Sequence, residues 1–172
     1  MTPGDALRIL GAGWAELRDA LAAAEAAGIR LRHGEGEAWS PVDLAGHLEA
    51  WERLAVELVE DRRTGASPLR FDAVLTGPGA VDAHNARVIE ANRSREVADV
   101  LARAERTRDE LAAAIGGLSA EEWAAPVPSA VRKAVPLGEA LGLLLGAPRR
   151  PFGHAGAHRS DLAHMKHVGL LG

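Results

Sequence analysis

The sequence contains no cysteine and no tyrosine, and its few aromatic residues, all tryptophan or phenylalanine, make up 3% of 172 residues. Without cysteine the chain can form no disulfide, no zinc–thiolate site and no cysteine nucleophile. Any bound metal ion must therefore be held by histidine, aspartate or glutamate. The absence of tyrosine also removes the phenol group as a general acid or base.

Charge and hydropathy argue against two classes of partner. The formal net charge is -4 and the sequence pI is near 6.0, and acidic and basic residues are interleaved rather than gathered into the basic stripe that neutralises phosphates. The longest strongly apolar run, residues 141–145, is far too short to cross a bilayer, and the sequence does not start with a basic segment followed by an apolar one. We therefore expect a cytoplasmic protein that binds neither nucleic acid nor membrane.

The length and the 47% hydrophobic content suit a single domain over residues 1–172 with a substantial core. Between the helical segments we expect loops, including a polar one over about 30–38. Apolar residues at helical spacing predict helices over about 5–27, 41–63, 81–91, 94–116 and 137–145, a short helix around Trp123 and a last helix that starts near Pro151. The pattern therefore predicts an all-α fold.

The most informative stretch is residues 39–51, WSPVDLAGHLEAW. Ser40 is a good N-cap, a proline follows at the first helical position, and Asp43 brings a carboxylate to the free N–H groups of the first turn. Apolar residues at three- and four-residue steps then mark one face of the helix, and His47 lies on that face, whereas Glu52 falls on the face predicted to meet solvent. His47 is therefore either a hydrogen-bonded core histidine or a ligand.

A second pair of histidines, His154 and His158, stands four residues apart on the predicted last helix. This spacing places both imidazoles on one helix face, where they can bind one metal ion, and the small residues around them let another helix approach closely. Chance pairs are common in a chain with seven histidines, but the addition of His47 favours a three-histidine metal site. An alternative pair, His164 and His167, lies near the C-terminus, where solvation is the default.

For several other polar residues we expect no functional role. His33 falls in the predicted polar loop and is assigned no role. His84, on the helix predicted over 81–91, is expected at the surface beside Asn85. The charged residues of the helix over 94–116, Arg108 among them, are expected to be solvated.

Several segments of the chain resemble those of a known family. Residues 39–52 look like the signature W-S-x-x-D-x-x-x-H-L-x-x-W that opens the second helix of the DinB-like (YfiT-like) metalloprotein superfamily, and residues 81–93, the following helix and the late H-x-x-x-H are similar to its DfsB/ClbS branch. The resemblance implies an up-down-down-up four-helix bundle, here with short extra helices. It also implies one divalent metal ion, often zinc or nickel, held by His47, His154 and His158 at one end of the core.

Three neutral imidazoles would leave the ion its full charge and an open position, as in catalytic sites. The resemblance implies two kinds of activity: thiol transfer or isomerisation with a low-molecular-weight thiol, and ClbS-like hydrolysis of reactive electrophiles in self-protection. The interpretation we favour is a metal-dependent S-transferase that adds a small, mycothiol-type thiol to an electrophilic small molecule. A metal-water hydrolase and a non-catalytic, ligand-sequestering protein are the alternatives.

The candidate substrate contacts are Trp51, Asn85, Arg149 and Arg150. Either arginine, close to the helix of the histidine pair, could hold an acidic group, although solvated loop charges are the simpler interpretation for each alone. No general acid or base is identified. The protein is expected to be a monomer or a homodimer, because residues 141–145 could pack within the chain or against a second copy.

Overall fold

A computed structural model describes residues 1–12, 14–28, 31–33, 37–128, 133–147 and 150–158. The described helices are α1 (Pro3–Gly11), α2 (Trp14–Ala26), α3 (Pro41–Thr64), α4 (Leu69–Leu75), α5 (Ala80–Asn92), α6 (Val97–Gly116), α7 (Ala120–Ala124), α8 (Leu137–Leu144) and α9 (154–158, as far as it is described). The described strands are β1 (Leu31–His33), β2 (Glu37–Trp39), β3 (Pro126–Val127) and β4 (Val135–Pro136).

Helix α3 begins at the residue that the sequence predicts. The Ser40 hydroxyl accepts a hydrogen bond from the Asp43 backbone N–H at 3.2 Å, and the Asp43 carboxylate accepts one from the Ser40 backbone N–H at 2.7 Å. A capping box of this kind contributes about 1 kcal/mol and fixes the first residue of the helix. It thereby fixes the direction of His47 and Trp51, both of which are buried.

The centre of the bundle is α3, which packs most extensively on α6 and also contacts α2, α5 and α8. One hydrophobic cluster surrounds Trp51 and Leu58 and reaches α6 and α8, and a second surrounds Leu44 and Leu48 and reaches α2. The predicted all-α fold, a four-helix bundle with short extra helices, is confirmed. Among the described residues, no helix has the length and the apolar character that a membrane span requires.

The predicted continuous helix over 5–27 is wrong, because α1 ends at Gly11 and α2 starts at Trp14. Arg108 of α6 contacts both sides of the break. Its guanidinium donates to the Leu10 carbonyl, and its central carbon lies 4.5 Å from the ring centroid of Trp14. One half-buried cation thus satisfies a carbonyl at the end of α1 and packs on the aromatic ring that opens α2.

The predicted solvation of Glu52 and Arg108 is also wrong. Glu52 is 4% exposed, and its Oε1 accepts a hydrogen bond from Arg108 Nη2 at 2.6 Å. Burial raises the pKa of the Glu52 carboxyl to about 7, against the opposing effect of the Arg108 charge. The prediction failed because α3 is covered by several helices, so that part of its polar face is buried as well.

Three further segments differ from expectation. The predicted loop over 30–38 contains β1 and β2, which pair antiparallel with Leu31 opposite Trp39. Helix α4 forms between the helices predicted over 41–63 and 81–91, where we expected a loop. The last helix begins at His154 rather than near Pro151, because Phe152 adopts a left-handed conformation with φ 62° just before it.

The apolar segment at 137–145 is buried within the chain. Leu141, Leu144 and Leu145 are each at most 1% exposed, whereas Leu143 is 47% exposed. Packing inside one chain therefore accounts for the burial of most of this segment without a second copy. Whether the protein is a monomer or a homodimer stays a prediction.

Candidate metal centre

Three histidines from two distant segments converge at one place. His47 comes from α3, and His154 and His158 come from successive turns of α9, with ligand nitrogens that all lie within 4.8 Å of one another. Nε2 of His47 lies 2.8 Å from Nε2 of His154. His47 and His158 are buried and His154 is half-buried, so His154 is the member of the triad with most access to solvent.

The start of α9 is tied to the end of α8. The His154 backbone N–H donates to the Leu145 carbonyl at 3.1 Å. Phe152, 2% exposed, stacks on Trp123 with ring centroids 6.0 Å apart. These contacts place the first residue of α9, and helical geometry then brings His158 to the same face one turn later.

Two buried tryptophans pack around the imidazoles. The Trp39 ring centroid lies 4.9 Å from that of His47 and 6.5 Å from that of His158. Trp51 lies 6.2 Å from His47 and 6.3 Å from His154. Aromatic rings thus cover part of the triad, and charge interactions are stronger in such partly desolvated surroundings than in water. The sequence pattern did not predict that Trp39 lies at the site, although Trp39 is the first residue of the signature and could have been considered on that ground.

Asn85 and Trp51, predicted as substrate contacts, both lie beside His47. Oδ1 of Asn85 is 3.2 Å from Nδ1 of His47 and accepts a hydrogen bond from the Trp51 indole N–H at 3.1 Å. The two side chains are thus bonded to each other and to a member of the triad. Their contact with a substrate stays a prediction.

The surface position predicted for His84 is wrong. His84 is 8% exposed, and its ring lies 5.2 Å from that of Trp51. Burial lowers the pKa of this imidazole, with smaller contributions from the charges of Arg87 and Arg70. The sequence missed this burial because α4, the helix it failed to predict, packs against α5.

The remaining candidates lie outside this cluster or outside the described residues. Arg150 is exposed, and its backbone pairs with Ala147 in the turn before α9. Arg149 and the alternative histidine pair, His164 and His167, fall outside the described residues. His33 lies in β1. The predicted roles of Arg149 and Arg150 therefore stay predictions.

The donor set fits a divalent transition metal. All three donors are imidazole nitrogens, which suit zinc, nickel and related ions. Tetrahedral coordination at the usual Zn–N distance places ligand nitrogens about 3.3 Å apart, a value between the 2.8 Å of His47 and His154 and the 4.8 Å limit for the triad. Small side-chain shifts would thus let the three residues hold one ion. Within the described part of the chain, no other group of three or more His, Cys, Asp or Glu residues has such an arrangement.

Comparisons with known proteins agree with the fold. A solved structure of the mycothiol-dependent maleylpyruvate isomerase is similar with a TM-score of 0.63 at 20% sequence identity, over 94% of this chain and 61% of that one. This chain therefore spans about three fifths of that protein, and at this identity the likeness concerns the fold. No curated protein sequence gives a significant match. The family model of the DinB superfamily matches residues 9–146, which end shortly before His154. Because this match covers well over half of the sequence, the chain belongs to the DinB superfamily.

Proposed function

We propose that this protein is a divalent-metal-dependent enzyme that transfers a small, mycothiol-type thiol to an electrophilic small molecule. The observation that carries the proposal is the convergence of three imidazole nitrogens within 4.8 Å of one another. Two of the three residues, His47 and His154, are 107 positions apart in the sequence. Two buried tryptophans pack around them, and His154 remains partly accessible. Zinc and nickel are the ions that we expect.

The residues of the chain have distinct roles in this proposal. His47, His154 and His158 hold the ion and contribute no negative charge. A divalent ion held there would supply a positive charge that favours the thiolate form of a thiol. Trp39 and Trp51 keep bulk water away from the reacting groups, and the partly open side at His154 is where we expect the substrate to enter.

The thiol is inferred from the family. A solved structure of the same fold is mycothiol-dependent by its name, and three neutral ligands suit the activation of a thiol as well as of water. We infer a cytoplasmic enzyme with a small-molecule substrate.

Metal binding is the first experiment. The purified protein, stripped with a chelator and then reloaded with Zn²⁺ or Ni²⁺, should hold one ion per chain by elemental analysis and native mass spectrometry. His158→Ala is the matched control and should hold much less. A wild-type protein that binds no ion under these conditions would contradict the proposal.

Product mass is the second experiment. The metal-loaded protein is incubated with a panel of epoxides and activated alkenes, to which a thiol or water adds without a leaving group, with and without mycothiol. A product heavier by the thiol, formed over many turnovers, is the expected result. A product heavier by one water without thiol would show a hydrolase instead, and protection that stops at one equivalent of protein would show a sequestering protein.

A further inference from the structure

The hydrogen bonds around Asn85 determine which end of its amide faces His47. An indole N–H can only donate, so the atom that it contacts must be an acceptor. Because the Trp51 indole N–H lies 3.1 Å from Asn85, that contact atom is the carbonyl oxygen and not the amide nitrogen. The reversed amide would place two donors against each other at a partly buried position.

The same oxygen fixes the proton on His47. Nδ1 of His47 lies 3.2 Å from Oδ1 of Asn85, and an amide oxygen cannot donate a proton. Nδ1 must therefore carry the N–H of the neutral ring, and Nε2 is left with its lone pair. Nε2 is the atom that faces the triad, 2.8 Å from Nε2 of His154.

We propose that Asn85 is a positioning residue that holds His47 in its Nδ1–H tautomer and so makes Nε2 a metal-ligating atom, with Trp51 holding the amide in place. This inference rests on the proposed metal function of the triad. Without the acceptor, the Nε2–H tautomer becomes available to His47. In that tautomer Nε2 donates to His154 and cannot bind an ion until the ring has exchanged its proton.

The expected size of the effect follows from other metal sites. Hydrogen-bond partners that orient ligand imidazoles typically change metal affinity by about 10- to 100-fold when they are removed. Asn85 satisfies two buried donors at once. Its removal should therefore act through the tautomer of His47 and through the packing of Trp51, and the experiment must separate these two effects.

The experiment uses the full chain and three variants. Asn85→Leu removes the acceptor and keeps the branched shape of the side chain, and Asn85→Asp keeps an acceptor oxygen. Trp51→Phe removes the indole N–H that holds the amide, together with part of the ring. The tautomer of His47 is read in the metal-free protein from long-range ¹H–¹⁵N correlation spectra. Zn²⁺ affinity is measured by competition with a chromophoric chelator, and helix content by circular dichroism.

Wild type and Asn85→Asp should both show the Nδ1–H tautomer and bind Zn²⁺ tightly. Asn85→Leu should gain the Nε2–H tautomer and bind about 10- to 100-fold more weakly at unchanged helix content. Trp51→Phe should fall between them. The inference is overturned if Asn85→Leu keeps the Nδ1–H tautomer, or if Asn85→Asp loses as much affinity as Asn85→Leu, because packing alone would then explain both losses.

Failure of the proposed function gives a different result. If the wild-type protein binds no Zn²⁺, the metal proposal fails whatever the variants do. The tautomer spectra of the metal-free protein still decide whether Asn85 fixes the proton on His47.

Discussion

Nε2 of His47 lies 2.8 Å from Nε2 of His154, although the two residues are separated by 107 positions in the sequence. No local interaction brings them together, so their contact depends on the packing of α9 against α3. The contact is the central feature of the candidate site, because it joins the motif at the start of α3 to the H-x-x-x-H pair of α9.

The three histidines should be separable from other buried histidines by mutation. Replacing His47, His154 or His158 by alanine removes one of the three proposed ligands, so Zn²⁺ affinity should fall by at least about 100-fold while most helix content remains. His84→Ala is the matched control, because His84 is buried but lies outside the triad. It should lower the melting temperature and leave the metal stoichiometry unchanged. Full metal occupancy in His47→Ala would show that His47 is a core histidine.

The two glycines near the histidine pair should respond in opposite ways to alanine. A Cβ on Gly156 would meet no atom of the described residues within 4 Å, and alanine favours a helix over glycine by about 1 kcal/mol. Gly156→Ala should therefore stabilise α9 and strengthen Zn²⁺ binding by up to about fivefold.

Gly153→Ala is the paired variant. Its Cβ would lie 2.9 Å from Cβ of Arg150 and 3.1 Å from the Arg150 carbonyl oxygen, so the turn before α9 must shift. We expect weaker Zn²⁺ binding and a lower melting temperature, measured by chelator competition and calorimetry. Equal effects of the two substitutions would contradict this account of α9.

Gly46 should not tolerate a side chain. A Cβ there would lie 2.5 Å from Nδ2 of Asn92, and Asn92 is held by hydrogen bonds to the Val88 carbonyl and from Arg103. Gly46→Ala should therefore lower the free energy of unfolding by about 1–3 kcal/mol in urea titrations. Gly11→Ala is the control, because a Cβ there meets no atom within 4 Å in the described part of the chain, and it should change this free energy by less than about 1 kcal/mol.

The Glu52 carboxyl should make stability depend on pH. Its pKa is raised in the folded protein to about 7, whereas the unfolded value is near 4.5. The folded state therefore binds more protons than the unfolded state between these values, and stability falls as pH rises through this range. The free energy of unfolding should drop by about 2 kcal/mol between pH 5 and pH 8 on this account.

Glu52→Gln isolates that contribution, because glutamine keeps an oxygen that can accept from Arg108 but does not titrate. Unfolding free energies of the wild type and this variant are measured by urea titration at several pH values. The difference between them should fall from pH 5 to pH 8 by the whole amount that we attribute to Glu52. A difference that does not change between pH 5 and pH 8 would show that Glu52 stays ionised in the folded protein.

Several features could be predicted from the sequence because they depend on interactions within one or two turns. The start of α3 follows from Ser40 and Asp43, whose capping hydrogen bonds are local. The shared face of His154 and His158 follows from helical spacing, and the burial of His47 follows from the apolar stripe on which it lies. The start of α3 and His47 lie within the residues that the family model matches, whereas His154 and His158 lie beyond them.

Only the tertiary structure decided which polar residues are buried and which of them meet. Glu52 and His84 look like surface residues by periodicity, but α6 brings Arg108 to Glu52, and α4 packs against the helix of His84. The contact of Asn85 with His47 likewise joins two helices. Helix formation is governed by local energies that a sequence displays, whereas the burial of a charge or the partner of an imidazole depends on which distant helix covers it, and that is settled only when the chain packs.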